Sequence, residues 1–365
     1  MFVRLYISIF ALATVASCQE PAKKDPFEDL PVPQPTTEPS RAFFRDNFGF
    51  RKEIMSEFDT NQDGTLASRQ SLGFEVLKKF STATETVAAF DFQARLVRRD
   101  GFNPVLNDME GESRAGWAFE YHNLYLDLYN LFHRQGRFNF RVGHFYVPFG
   151  LNLQTDTHGT VLQLSNDRNF GFERDWYAGL FGPLNRHLNY DAYYLTGSGY
   201  DLKYKGQSGL GAFRLSLANR YSSEYGLEGG VSVLAGERLA ANNETIRTRR
   251  AGIDGRYRKS VPTGLLTFTT ELSAGSDSRR NVLTQLHQAE YLRASRRWGL
   301  ATQYRRFRQH DFGTDASIIG EFTWYFRNDV GNSNLHWLKL NVERQLQQAQ
   351  LRPATIVTLQ YYFYR

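Results

Sequence analysis

Apolar and polar residues alternate along most of the chain, in runs of about ten residues separated by turns. The runs begin near Ser71 and continue to the end, at 72–76, 90–96, 124–128, 176–180, 188–194, 213–217, 251–257, 266–272, 318–326, 338–342 and 359–363. A period of two is that of a β-strand whose two faces meet different surroundings. No helical period of comparable length follows residue 70. The pattern therefore predicts an all-β protein.

The stretch GRFNFRVGHFYVPFGLN, residues 136–152, indicates what those surroundings are. One face carries Phe138, Phe140 and Val142, whereas the other carries Asn139 and Arg141. A buried strand would not tolerate an arginine at its centre, and a solvated strand would not need so many aromatic residues. Lipid on one side and a water-filled lumen on the other satisfies both faces. A soluble sandwich or propeller, with its apolar faces packed together, is the alternative.

Three features favour a transmembrane barrel over a soluble β-protein. The connections alternate in length, since HRQG and GPLNR are short whereas 99–116 and 150–172 are long. Aromatic residues lie near the ends of the runs, and the start of the chain resembles an export signal. A bilayer does not tolerate open sheet edges, so the sheet must close. We predict a transmembrane antiparallel β-barrel of about 16 strands, with a range of 14–18, over residues 69–365.

The N-terminal 68 residues divide into an export signal and a tether. Residues 1–17 have the basic start and apolar core of a secretory signal peptide. Cys18 follows small residues, as in a bacterial lipobox, and predicts lipidation; ordinary cleavage after Ser17 is the alternative. Residues 18–68 form a proline-rich tether and an N-terminal segment, in which 42–58 fits either a short amphipathic helix or a first strand. Cys18 is the only cysteine, so no internal disulfide forms.

Composition and charge exclude two other classes of protein. The 365 residues have a mean hydropathy of −0.50, and beyond the first 17 no apolar run reaches about 18 residues. A helical membrane protein is therefore excluded. The net charge is +6 and the pI is near 9.2, but the basic residues are spread along the chain. We therefore expect no nucleic-acid partner.

Strand parity places a set of arginines on the polar, lumen-facing side. These predicted pore-lining residues are Arg95, Arg141, Arg214, Arg256, Arg258, Arg293 and Arg305. Rings of charge select ions by sign, and arginine suits anions and phosphate. The alternative is a lumen lined with paired charges, because inward carboxylates could neutralise many of these arginines. The carboxylates on that face are Asp91, Asp127, Asp254, Glu271, Glu321 and Glu343.

Other motifs give weaker signals. Residues 151–175 are long for a β-connection, which predicts a loop folded into the lumen; an ordinary surface loop is the alternative. Asp59–Gly64 matches half of a calcium loop, but Gln70 stands where that loop needs glutamate, so a polar turn is favoured. Ser198 lacks the nucleophile-elbow pattern, and the histidines lack metal-ligand spacing. We expect no enzyme activity, no metal and no cofactor.

The segment 136–152, with the upstream LDLYNLF, resembles the strand–loop motif of the phosphate-selective porin O and P family. In that family a Gly-x-Phe…Pro-Phe-Gly segment precedes a polar loop. The resemblance implies a 16-stranded barrel with arginines along its pore, a preference for phosphate and, because the family is often trimeric, a homotrimer. The chain departs from the family in the Cys18 anchor, the proline tether and the lack of lysine clusters.

The sequence thus predicts an outer-membrane porin, a passive channel for small hydrophilic solutes that favours anions such as phosphate. Its partners would be outer-membrane lipid, the solutes and the insertion machinery, which recognises terminal strands like ATIVTLQYYFYR. A surface-exposed lipoprotein with a soluble β-rich domain that binds a ligand or a partner is the alternative.

Overall fold

Sixteen antiparallel strands form one closed barrel in the computed structural model of the chain. It describes residues 47–82, 85–101, 116–133, 136–151, 162, 165–200, 209–217, 226–239, 244–310, 313–329, 334–349 and 353–365. The strands are β1 Phe48–Asn61, β2 Leu66–Ser81, β3 Thr86–Asp100, β4 Trp117–Leu128, β5 Asn139–Tyr146, β6 Arg174–Pro183, β7 Leu188–Leu195, β8 Gly209–Leu217, β9 Gly226–Leu239, β10 Thr245–Val261, β11 Gly264–Asp277, β12 Arg280–Arg293, β13 Trp298–Gln309, β14 Gly313–Asp329, β15 Asn334–Gln347 and β16 Thr355–Tyr364. The prediction of a β-barrel with about 16 strands is confirmed.

Each strand pairs with its neighbours in the chain, and β1 closes the barrel against β16. At this seam Lys52 and Arg365 exchange backbone hydrogen bonds of 2.6 and 2.9 Å. Closure removes the sheet edges that a bilayer would leave without hydrogen-bond partners. A sandwich or propeller is therefore excluded.

Strand β1 begins earlier than the predicted barrel boundary at residue 69. The segment 42–58, left open between helix and strand, supplies most of β1 from Phe48 onward. Asp59 and Asn61 also belong to β1, so the polar turn is shorter than 59–65. The Asn61 side chain accepts the backbone N–H groups of Asp63 and Thr65, each at 3.0 Å. The motif considered for calcium is thus the end of a strand and a hairpin turn.

The two faces of the wall differ as the alternation predicts. Large apolar side chains are exposed on the outside, among them Phe58, Phe119, Ile253, Phe268 and Phe322. Their strand neighbours point inward and are mainly polar or charged. Such an outer surface requires hydrocarbon around it. Within the described ranges, no helix is both long and apolar enough to cross a membrane.

The short and the long connections between strands lie at opposite rims of the barrel. HRQG and GPLNR lie on the rim that holds the start of β1 and the end of β16. The connections after β3, β5 and β7 lie on the opposite rim and are the longest. Short turns on one rim and long loops on the other are typical of transmembrane barrels.

The motif Gly136–Gly150 contains a position that only glycine fits. Gly143, in the middle of β5, has a φ of 138°, and a Cβ there would lie 2.1 Å from the carbonyl oxygen of Leu124 on β4. Glycine lets the two backbones approach at this point. The short strand β5 therefore pairs with β4 and β6 before the chain leaves for the long connection after Tyr146.

Candidate functional site

The lumen is the candidate site, and the segment between β5 and β6 enters it. Its described part includes helix α1, Ser165–Phe170. The Asn169 side-chain oxygen accepts hydrogen bonds from Ser273 of β11 at 2.9 Å and Thr284 of β12 at 2.5 Å. The Asn169 carbonyl accepts one from Arg250 of β10 at 3.1 Å. These inward-facing partners confirm the prediction that the loop folds into the lumen.

Aromatic residues fix both ends of this inserted segment. A buried cluster of Phe145, Tyr146, Val147, Phe149, Phe170, Phe172, Tyr177, Tyr193, Leu195, Leu210, Ala212 and Leu234 joins the loop to the inner face of β5–β9. At Gly252 of β10, an added Cβ would lie 2.8 Å from the Phe149 ring, so the absence of a side chain makes room for that ring. The loop thus narrows the lumen through packing as well as through hydrogen bonds.

The structure places six of the seven predicted arginines on the inner face, each close to a carboxylate. Arg141 donates two hydrogen bonds to Asp127, at 2.6 and 2.7 Å. Its guanidinium also lies 4.4 Å from the Tyr125 ring centroid and 4.6 Å from that of Phe145. A bidentate pair held between aromatic rings is rigid. The described partners of Arg141 are on β4–β6, whereas the inserted helix contacts β10–β13. The wall arginine that contacts the helix is therefore Arg250 of β10.

The other inner arginines are paired across strands. Arg214 donates to Asp254 at 2.6 Å, and Arg305 donates to Glu343 at 3.0 Å. Arg256 and Arg258 share Glu228, at 3.1 and 2.7 Å. Arg95 donates to Glu53 at 2.6 Å, and both side chains are almost completely buried. The lumen is therefore lined with compensated charges, which was the alternative to a ring of free arginines.

Arg293 is not on the inner face. It follows Tyr291 with outward parity, and its guanidinium lies 5.5 Å from the ring of Trp298. Trp298 pairs with Trp324, which is exposed on the outer wall. The inward assignment of Arg293 was wrong because the residue ends β12, where strand parity can be assigned only once the strand pairing is known.

Sequence reasoning missed a second basic cluster beside the inserted loop. Arg238 and Arg250 both contact Asp277, at 3.3 and 3.0 Å, and Arg250 also holds the Asn169 carbonyl. Arg250 shares the parity of Arg256, so extending that parity along β10 would have identified it. Cys18 lies outside the described residues, and its lipidation stays a prediction.

Removing the Asn169 side chain should widen the channel. Asn169→Ala deletes the acceptor of two hydrogen bonds, each worth about 1 kcal/mol. We expect faster entry of larger sugars into proteoliposomes, measured by swelling. Ser273→Ala, which leaves the Thr284 bond in place, should have a smaller effect. Equal swelling for Asn169→Ala and the unmodified chain would show that these bonds do not hold the loop.

Comparison with solved structures identifies the fold. OprB of Pseudomonas putida at high pH matches with a TM-score of 0.61 and 10% identity, over 87% of this chain and 94% of that chain. The anion-selective porin from Comamonas acidovorans gives 0.58 and 9%, over 87% and 99%. OmpF of Salmonella typhi, in complex with daunomycin, gives 0.58 and 8%, over 87% and 97%.

No protein-family model and no curated protein sequence matches the chain. The structural similarity at 8–10% identity therefore concerns the fold, which is that of the outer-membrane porins. The closed barrel and its apolar outer wall confirm the predicted location in the bacterial outer membrane.

Proposed function

We propose that the chain is a porin, a passive channel that lets small hydrophilic solutes cross the outer membrane. The observation that carries this proposal is the sorting of the wall into an apolar outer face and a polar, charged inner face narrowed by an inserted loop. A closed barrel of 16 strands leaves an aqueous passage. The similar structures are porins, which supports transport and not catalysis as the function.

A preference for anions is the finer part of the proposal. In three ion pairs the arginine is more exposed to the lumen than its carboxylate: 17% against 2% for Arg141–Asp127, with similar ratios for Arg214–Asp254 and Arg305–Glu343. Since the arginine side chain is longer, it reaches over its partner and meets the solute first. A narrow lumen with low-dielectric walls strengthens the effect of such charges. Phosphate is one anion of this class.

Export, anchoring and assembly complete the proposal. The signal peptide at 1–17, the Cys18 lipid anchor, the resemblance to the phosphate-selective porins O and P, and the homotrimer that it implies all rest on the sequence. Strand β16 carries the alternating apolar and aromatic pattern on which the expected contact with the insertion machinery is based.

One cluster allows the ion preference to be shifted in both directions. Glu228→Gln should remove the negative charge that Arg256 and Arg258 share and move the reversal potential in a salt gradient toward anions. The double variant Arg256→Gln/Arg258→Gln should remove two positive charges beside Glu228 and move the reversal potential toward cations. Both shifts should be largest at low salt, where screening is weakest. An unmodified channel that prefers cations would refute the anion preference but not the channel.

A further inference from the structure

A group of arginines lies on the outside of the barrel, at the rim that carries the long connections. The outer arginine patch, as we call it, consists of Arg249 of β10, Arg306 and Arg308 of β13, and Arg344 of β15. Each belongs to the five residues nearest the long-loop end of its strand. Each is paired with both neighbouring strands and shares the parity of exposed apolar residues, such as Ile253 on β10 and Leu340 on β15. Their side chains therefore point away from the lumen.

The outer arginines have no acidic partner, unlike those inside the lumen. Among the described residues, no carboxylate lies within ion-pair distance of the patch. Arg344 donates a hydrogen bond of 2.8 Å to the Thr355 hydroxyl. Arg247 also points outward, but it lies opposite Glu237 of β9 and does not belong to the patch. The patch thus presents four positive charges without a described acidic partner to its surroundings.

The patch occupies one sector of this rim, on β10–β15. On the opposite sector, β1–β4, the outward residues nearest the rim are mainly apolar or carry hydroxyls: Phe58, Thr60, Leu66, Ser68, Trp117 and Phe119. Arg98 of that sector contacts Asp100 at 2.8 Å. A general requirement for cations at the membrane surface would spread them around the rim. The restriction to one sector therefore indicates a specific partner.

Strand geometry brings these arginines close enough to share an anion. Arg306 and Arg308 are two residues apart on one strand, which separates their Cα atoms by about 7 Å. Arg306 and Arg344 flank β14, opposite Ala316 and Ile318, so two strand spacings of about 5 Å each lie between them. Arginine forms short, charge-assisted hydrogen bonds with phosphate. Two guanidinium groups of the patch can therefore hold one phosphate.

The neighbours of the patch fit a lipid that carries sugar as well as phosphate. Between β10 and β13, neutral polar side chains point outward: Ser276, Asn281 and Gln285. Amide and hydroxyl groups form hydrogen bonds with sugar hydroxyls. Toward the middle of the wall the outer face is apolar, with Ile253 and Ile318 exposed. A phosphorylated sugar head group at the rim and acyl chains beside the wall would complement this surface.

We propose that the outer arginine patch binds the phosphates of a glycolipid in the outer leaflet of the outer membrane. Long connections mark the outer side of a transmembrane barrel, so the patch lies at the outer leaflet. Clusters of basic residues at a membrane surface attract anionic head groups. Because the patch lies outside the lumen, lipid binding there is independent of conduction.

Native mass spectrometry of the folded chain in detergent micelles tests the proposal, with diphosphoryl lipid A and fully dephosphorylated lipid A as the two probes. The unmodified chain should bind the diphosphoryl form at least about tenfold more tightly. Arg306→Gln/Arg308→Gln should lose most of that difference. Arg306→Lys/Arg308→Lys keeps the charge without the planar fork and should lose less. Equal binding of the two lipids by the unmodified chain would overturn the proposal.

A pair of outward lysines at the opposite rim provides the matched control. Lys52 of β1 and Lys259 of β10 are exposed on the outer face. Lys52→Gln/Lys259→Gln removes the same charge and should change the affinity for diphosphoryl lipid A by less than about twofold. Equal losses in the lysine and arginine double variants would attribute binding to net charge and overturn the proposal. Loss of oligomers in Arg306→Gln/Arg308→Gln with unchanged lipid binding would overturn it too, in favour of a second copy of the chain.

Discussion

Replacing Arg95 with methionine is expected to lower the free energy of unfolding by about 3–5 kcal/mol, because it removes one partner of a buried ion pair with Glu53. Arg95 Nη2 lies 2.6 Å from Glu53 Oε2, and the two side chains are 0% and 1% exposed. Urea unfolding of the barrel in detergent micelles measures the change. The double variant Glu53→Gln/Arg95→Met removes both charges and should recover part of the loss.

A matched pair on the same strand serves as the control. Arg98 contacts Asp100 at 2.8 Å, but both side chains are about half exposed. Exposed ion pairs contribute about 0–1 kcal/mol, so Arg98→Met should change stability little. If Arg95→Met and Arg98→Met lowered the free energy of unfolding by the same amount, Arg95 and Glu53 would not form a buried pair.

Placing a charge on the outer wall should have the next largest effect. Ile253, near the middle of β10, is 57% exposed on the apolar face. Ile253→Arg puts a guanidinium into hydrocarbon, at a cost of about 2–4 kcal/mol near the midplane. We expect less heat-modifiable, folded barrel in the membrane fraction on an unboiled gel. The Gln288→Arg variant, with its charge on the inner face of β12, should assemble normally. If both variants lost folded barrel equally, the assignment of Ile253 to lipid and Gln288 to the lumen would be wrong.

The sequence predicted the fold because the barrel obeys a local rule. Every strand alternates between lipid and lumen, so parity along runs such as 266–272 is visible without knowledge of the neighbours. Parity also gave the correct face for Arg95, Arg141 and Arg305. It failed at Arg293, the last residue of β12, and at the start of β1, where 42–58 fits both a helical and a strand period.

What the sequence could not give is the pairing across strands. Arg141 meets Asp127 because of the register between β4 and β5, and Arg258 meets Glu228 on the neighbouring strand because of the register between β9 and β10. The bond between Asn169 and β11 spans more than one hundred residues of chain. Such contacts depend on closure of the whole barrel. These contacts pair the inner arginines with carboxylates, a point that strand parity alone left open.

The most direct test of the account is single-channel recording from the purified, folded chain in planar bilayers. The account predicts stepwise increases in conductance as barrels insert. Bilayers that contain folded, heat-modifiable barrel yet show no conductance would contradict it.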